Sequence, residues 1–266
     1  MLPAREALTF EILDDLVLAH ERGRPSPVRL LPGRCLGSIV ELLRFHEEHG
    51  HALEFSASPE TAAIERSFQT RQPVYLDGAA AGFIPARRAA YKNGDTYWDA
   101  FMFAMHKALL AAGFPSLFSR GLVGAMDEMQ NNIHDHSGAI DTGLIAYRVS
   151  RERVEWVVAD RGIGVLAGLQ GGAFPSLQDS GEALKIALTD GRSRFGVGRG
   201  RGYGFRELFK ALSTRHGTLR FRSDDQVLTM TGVSPSLSKA RLQQRALVSG
   251  FSITVICAKP SAPQLA

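Results

Sequence analysis

Three short stretches in a fixed order constrain this chain more than anything else in it. Glu128-Met-Gln-Asn-Asn132-Ile-His-Asp-His136 places acids and amides at helical spacing. Asp160-Arg-Gly162-Ile-Gly164 puts a carboxylate and two glycines directly after an apolar run. Between Gly196 and Gly204, glycine occupies every second position. A fold that uses all three together must bring a helix edge, a strand end and a glycine loop to one cleft.

The first stretch reads as a helix. Leu122, Ala125, Met126, Met129 and Ile133 recur at the spacing of a buried stripe, which predicts an amphipathic helix over 121–136. At about 100° per residue, Glu128, Asn132, Asp135 and His136 fall along one edge of that helix, at the border of the core. Asn132 offers a neutral oxygen to Mg²⁺, a hard cation that keeps several waters and shares substrate phosphates. Glu128, one turn away, is placed to take a proton from a water or hydroxyl as general base. His134 and His136 at i, i+2 do not face one site, and His46-Glu-Glu-His49 misses the i, i+4 spacing of a zinc helix, so no zinc site is expected.

The second and third stretches supply acceptors and donors. Residues 143–149 and 154–159 are β-rich runs that predict adjacent antiparallel strands, with Asp160 at the end of the second. A carboxylate there can accept from an adenine amino group, and Gly162 and Gly164 admit close backbone approach; in isolation the same pattern is equally a tight turn. The alternating glycines let successive N–H groups converge on an anion. Phe205, Leu208, Phe209 and Leu212 mark a following helix whose N-terminus favours phosphate. The run is neither a Walker loop, lacking Gly-Lys-Ser/Thr, nor a dinucleotide loop, lacking the βαβ unit. Residues 165–197 read as a mobile lid with a short helix at 180–188; its Arg192 and Arg194 reach phosphate or stay solvated.

In this order the stretches resemble the N, G1 and G2 boxes of the GHKL ATPase superfamily, which includes DNA gyrase B, histidine kinases and MutL. The resemblance covers about residues 98–259. It implies an α/β fold, the α+β two-layer sandwich of Bergerat type, with a mixed sheet and helices on one face. It implies ATP and Mg²⁺ as cofactors and Glu128 as the catalytic residue. Asn132 becomes the magnesium ligand, and Asp160, Gly162, Gly164, Gly198, Gly200, Gly202, Gly204 and Arg194 hold the nucleotide. Tyr203 and Phe205 stand where the family usually has Leu. Five alternating glycines leave the register open, with Gly200, Gly202 and Gly204 taken as the aligned set.

Residues 1–95 read as a separate small α/β region, followed by the ATP-binding domain at 98–259 and a tail at 260–266. Val28–Leu31 and 51–55 are predicted strands, a helix starts at Leu36, and Ser58 with Pro59 opens another that runs to about Phe68. This order resembles, weakly, a STAS domain, the phosphorylatable partner of anti-sigma factor kinases. The family's phosphorylated helix start falls here at Arg34-Cys35, so regulated phosphorylation is not expected.

Composition narrows the functional classes. With 266 residues and 44% hydrophobic content, the chain can bury a sizeable core. No apolar run approaches a membrane span, the start lacks a signal-peptide core, and Cys35 and Cys257 give no disulfide framework, so a cytoplasmic protein is expected. Net charge is +4, yet Asp190 to Arg222 holds nine Arg/Lys against two Asp/Glu, or +7, leaving −3 for the rest. That segment suits a polyanion; without a reading helix or stacking stripe, nucleic acid is not the expected partner.

No dimerising His hairpin precedes residue 98 and no large transducer follows the glycine loop. The remaining expectation is a small regulatory ATPase similar to anti-sigma factor serine kinases, hydrolysing ATP or transferring phosphate to a Ser or Thr of a STAS-domain or sigma-factor-like partner. The alternatives are a non-catalytic nucleotide-dependent binding switch and a histidine kinase-type catalytic module. Homodimerisation is left open.

Overall fold

A computed structural model describes residues 4–24, 28–31, 33–49, 53–87, 94–189, 217–232 and 237–259. The chain opens with β1 (Ala4–Ala7), α1 (Phe10–Glu21), β2 (Val28–Leu31), α2 (Leu36–Glu48), β3 (Glu54–Phe55) and α3 (Pro59–Thr70). The three strands form a parallel sheet in the order β1-β2-β3. Local chemistry sets the helix ends. Thr9 Oγ1 accepts from Ile12 N at the start of α1, and Ser58 and Thr61 close a reciprocal capping box ahead of Pro59. Arg71, in the left-handed region at φ 54°, stops α3.

A second, six-stranded sheet holds the rest of the molecule together. Its strands are β4 (Val74–Leu76), β5 (Ala81–Pro85), β6 (Leu144–Val149), β7 (Arg153–Asp160), β8 (Gly217–Gly232) and β9 (Arg241–Ala258), in the order β4-β5-β6-β7-β9-β8. Every adjacent pair among the described residues is antiparallel. The mixed sheet expected from the sequence is thus corrected: parallel pairing is confined to the small sheet. The sheet also begins at Val74, inside the stretch read as a separate N-terminal region, because β5 pairs with β6 from Ala81–Arg148 to Pro85–Leu144.

Helices cover both faces of this sheet, not one. On the first lie α4 (Thr96–Ala111) and α5 (Ser116–His136), whose Phe101, Met105, Leu122, Met126 and Met129 pack with Trp156 and Val158 of β7. On the second, α1, α2 and α3 pack against Phe83, Ala146, Val157 and Ala159. The cause is visible in β7. Residues 154–160 are buried without alternation, as in strands covered on both sides.

An ion network locks the second face. Arg220 and Arg222 of β8 and Arg245 of β9 reach Asp14 of α1 at 2.8–3.0 Å, and Arg220 and Arg222 also reach Glu41 of α2 at 3.1–3.2 Å. Burial alone would raise the Glu41 carboxyl; the two guanidinium groups outweigh it and bring it down to about 2. A second buried carboxylate, Glu155 of β7, sits at the start of α2. It accepts from Leu36 N at 2.5 Å, Gly37 N at 3.2 Å and Cys35 Sγ at 3.0 Å. Arg148 pairs with its other oxygen at 3.0 Å.

Candidate functional site

The acid-amide edge of α5 is where helical spacing puts it. Leu122, Ala125, Met126, Met129 and Ile133 are buried, while Glu128, Asn132, Asp135 and His136 are half-buried along the border. The Asn132 amide donates to Met129 Sδ at 3.7 Å, and among the described residues its Oδ1 carries no hydrogen bond. His134 Nδ1 lies 3.0 Å from Asp135 Oδ1. Immediately before Glu128, Asp127 accepts from the indole N–H of Trp98 at 2.7 Å. Burial raises the Asp127 carboxyl, the indole bond pulls it back, and nearby Asp99 raises it again.

The end of α5 is pressed directly onto the turn after β7. Ser137, which follows the helix, accepts from Ile163 N at 2.9 Å. A Cβ on Gly162 would stand 2.0 Å from that same Ser137 carbonyl oxygen. The first two sequence stretches therefore meet in space through main-chain contact.

Asp160 is fully buried at the end of β7, on the same face of the strand as Trp156 and Val158, toward α5. Its Oδ1 accepts from Gly162 N at 2.7 Å; its buried Oδ2 has no hydrogen-bond partner among the described residues. Burial pushes the carboxyl up to about 6, with the Gly162 N–H and the Arg44 guanidinium pulling the other way. A buried acceptor without a partner costs free energy, which a water, an ion or a ligand donor would recover.

Gly162 and Gly164 answer to packing in the fold itself. Gly162 makes room for Ser137. Gly164 adopts φ +79°, and a Cβ there would lie 2.8 Å from Asp224 Oδ1. It opens α6 (Gly164–Gln170), whose first N–H groups are bound by Ser223 Oγ at 3.0 Å and Asp224 Oδ2 at 3.5 Å.

The described part of the segment read as a lid, through Thr189, holds two packed helices, α6 and α7 (Ser180–Leu188), the second at the 180–188 expected for a short helix. They share a core of Leu169, Ala183 and Ile186, and Leu184 and Leu188 join the main core with Leu228 and Met230. Arg192, Arg194, Gly198, Gly200, Gly202, Gly204 and the helix expected at 205–212 lie outside the described residues.

Two contributors escaped the sequence reading. Arg44 of α2 donates through Nη2 to the Asp160 carbonyl oxygen and, at 2.6 Å, to that of Ser249. Gly250, at φ +62°, lets β9 pass the Asp160 carboxylate: a Cβ there would be 2.4 Å from Oδ1. The signal for Arg44 lay in α2, where Glu41, Arg44 and Glu48 form a charged stripe that resembles a solvated face. Nothing local announced Gly250.

No protein-family model matches the chain, and none of the curated proteins matches it.

Proposed function

We propose that this protein binds Mg-ATP in a GHKL-type site and acts as a regulatory ATPase or Ser/Thr kinase, in the manner of anti-sigma factor kinases. The observation that carries this reading is the Asp160 carboxylate: buried, with one oxygen unpartnered among the described residues, beside the end of the helix that bears Glu128 and Asn132. An adenine amino group is a donor of the size and polarity that oxygen lacks. Asn132 offers one neutral oxygen, which suits Mg²⁺ sharing the triphosphate; the ion's chemistry is to offset phosphate charge. Glu128 takes the proton of the attacking water or hydroxyl. Gly198, Gly200, Gly202 and Gly204, with Arg194, are the proposed phosphate cradle.

The second reading is a nucleotide-dependent switch without useful turnover. It is favoured by Arg44, which ties α2 to the Asp160 carbonyl and so links the N-terminal helices to the adenine side of the site. A partner carrying a STAS-like or sigma-factor-like surface is compatible with either.

Titrating ATP with and without Mg²⁺ against wild type and Asp160→Asn tests the pocket. Wild type should bind in the micromolar range typical of such sites, and the variant, which turns a donor toward the amino group, should lose at least tenfold. Equal binding by the two proteins overturns the assignment. Glu128→Ala separates the readings: a kinase or ATPase keeps binding and loses turnover, whereas a switch keeps its partner response.

A further inference from the structure

We propose that the outer face of α4 is a self-association surface, on which a second copy of this chain docks about a two-fold axis passing close to Phe103. This inference stands apart from the nucleotide reading.

The helix is covered on its inner side only. Trp98, Phe101, Met105 and Leu109 are buried, yet Phe103 is 70% exposed and Leu110, two turns along the same face, is 42% exposed. On the next helix Leu117, in the first turn of α5, is 78% exposed. It is followed at helical spacing by Gly121 and Gly124, where a Cβ would meet nothing within 4 Å. Glycine inside a helix costs about 1 kcal/mol against alanine, so two of them on an outer strip need a reason such as close approach of another chain. Single exposed apolar residues are ordinary; several at helical spacing on one hairpin mark an interaction site.

The charges say what that occupant is. Asp99 and Lys107 are the Asp, Glu, Lys or Arg residues of α4, both exposed and of opposite sign. They lie four residues before and four residues after Phe103. On a helix that is roughly 6 Å to either side, and about 40° to either side in azimuth. When two copies of α4 pack antiparallel across Phe103, Asp99 of each copy meets Lys107 of the other, and the two Phe103 rings meet at the centre. A self-complementary arrangement is what an isologous two-fold interface requires. An unrelated partner would need no such symmetry. Ala100 and Ala111, also exposed, leave room for the helices to approach.

Sedimentation equilibrium of the full chain, from one to a hundred micromolar, tests this with charge reversals. Wild type should be dimeric in that range. Asp99→Lys and Lys107→Asp, each alone, should weaken the dimer on the order of tenfold or more, since each sets like charges opposite one another twice. Mixing the two single variants should restore it, because every contact in the mixed dimer again pairs Lys with Asp. Phe103→Glu should abolish it. Circular dichroism and melting confirm that each variant is folded, and recovery in the mixture shows that both singles are intact. A monomeric wild type overturns the proposal. So does a dimer that tolerates Phe103→Glu, or single reversals that the mixture fails to rescue.

Discussion

The Asp160 carboxylate is destabilising wherever it is ionised without a ligand, and that has a measurable sign. Its folded pKa is about 6 against an ordinary carboxyl value of 3.8. Between those values the folded protein holds a proton that the unfolded chain has released. Stability from this group therefore rises as pH falls from about 7 to 4 and is lower at neutral pH, by up to about 3 kcal/mol. In Asp160→Asn that pH-dependent contribution should vanish. Urea titrations of both proteins at several pH values between 4 and 7.5 check this: the difference in their stabilities should change across the window, and parallel curves refute it. That Asp160 ends a strand and that Gly162 and Gly164 follow in a turn was readable from the sequence. Why the glycines are there was not, since Ser137 and Asp224 close on them from distant parts of the chain.

At the scale of elements, α2 shows how far sequence reasoning reaches. Its start at Leu36 follows from apolar spacing, and the helix is found there. Its fastening to β7 does not follow, because Glu155 is roughly 120 residues away and reads, in an otherwise apolar strand, like a solvent-facing residue. Instead its carboxylate takes the place of an N-cap side chain, which Cys35 cannot supply through a cap bond of its own. An anion at a helix N-terminus gains from both the orphan N–H groups and the dipole. Glu155→Ala removes that acceptor and leaves Arg148 with half its pairing, so it should lower stability by about 2–4 kcal/mol. Glu155→Gln, which keeps one acceptor oxygen, should cost about half as much. Chemical denaturation measures both. The Cys35 thiol, pushed up to about 12 by burial and then by Glu155, is not a reactive nucleophile at neutral pH. Within the segment read as a lid, the short helix expected at 180–188 is present as α7. Its packing was not legible, because Leu184 and Leu188 rest on Leu228 and Met230 of β8, some forty residues further along the chain.

For the whole molecule, the sequence pointed to two units, and the structure draws Val74–Leu76 and Ala81–Pro85 of the first into the large sheet of the second while α1, α2 and α3 cover its other face. The apolar run of 154–160 could have signalled this, since a strand buried at every position needs cover on both faces. What it could not signal is which helices supply the second cover, or that charge rather than apolar contact alone would lock them there. Asp14 and Glu41 come from helices near the N-terminus and Arg220, Arg222 and Arg245 from the last hairpin, so the network spans nearly the whole described chain. Its acid response follows from Glu41. With a folded pKa of about 2 against an ordinary 4.5, Glu41 contributes stability that is present above about pH 4.5 and lost as pH falls toward 2. That contribution is about 3 kcal/mol. Glu41→Gln should therefore be less stable than wild type by about that amount at pH 6, and the gap should close on acidification. Because the network fastens the second-face helices to the sheet, the loss should appear in a single cooperative unfolding transition. Two separate transitions in the variant, one for the N-terminal helices and one for the sheet, would show instead that the faces fold independently and that the network is no more than a local contact.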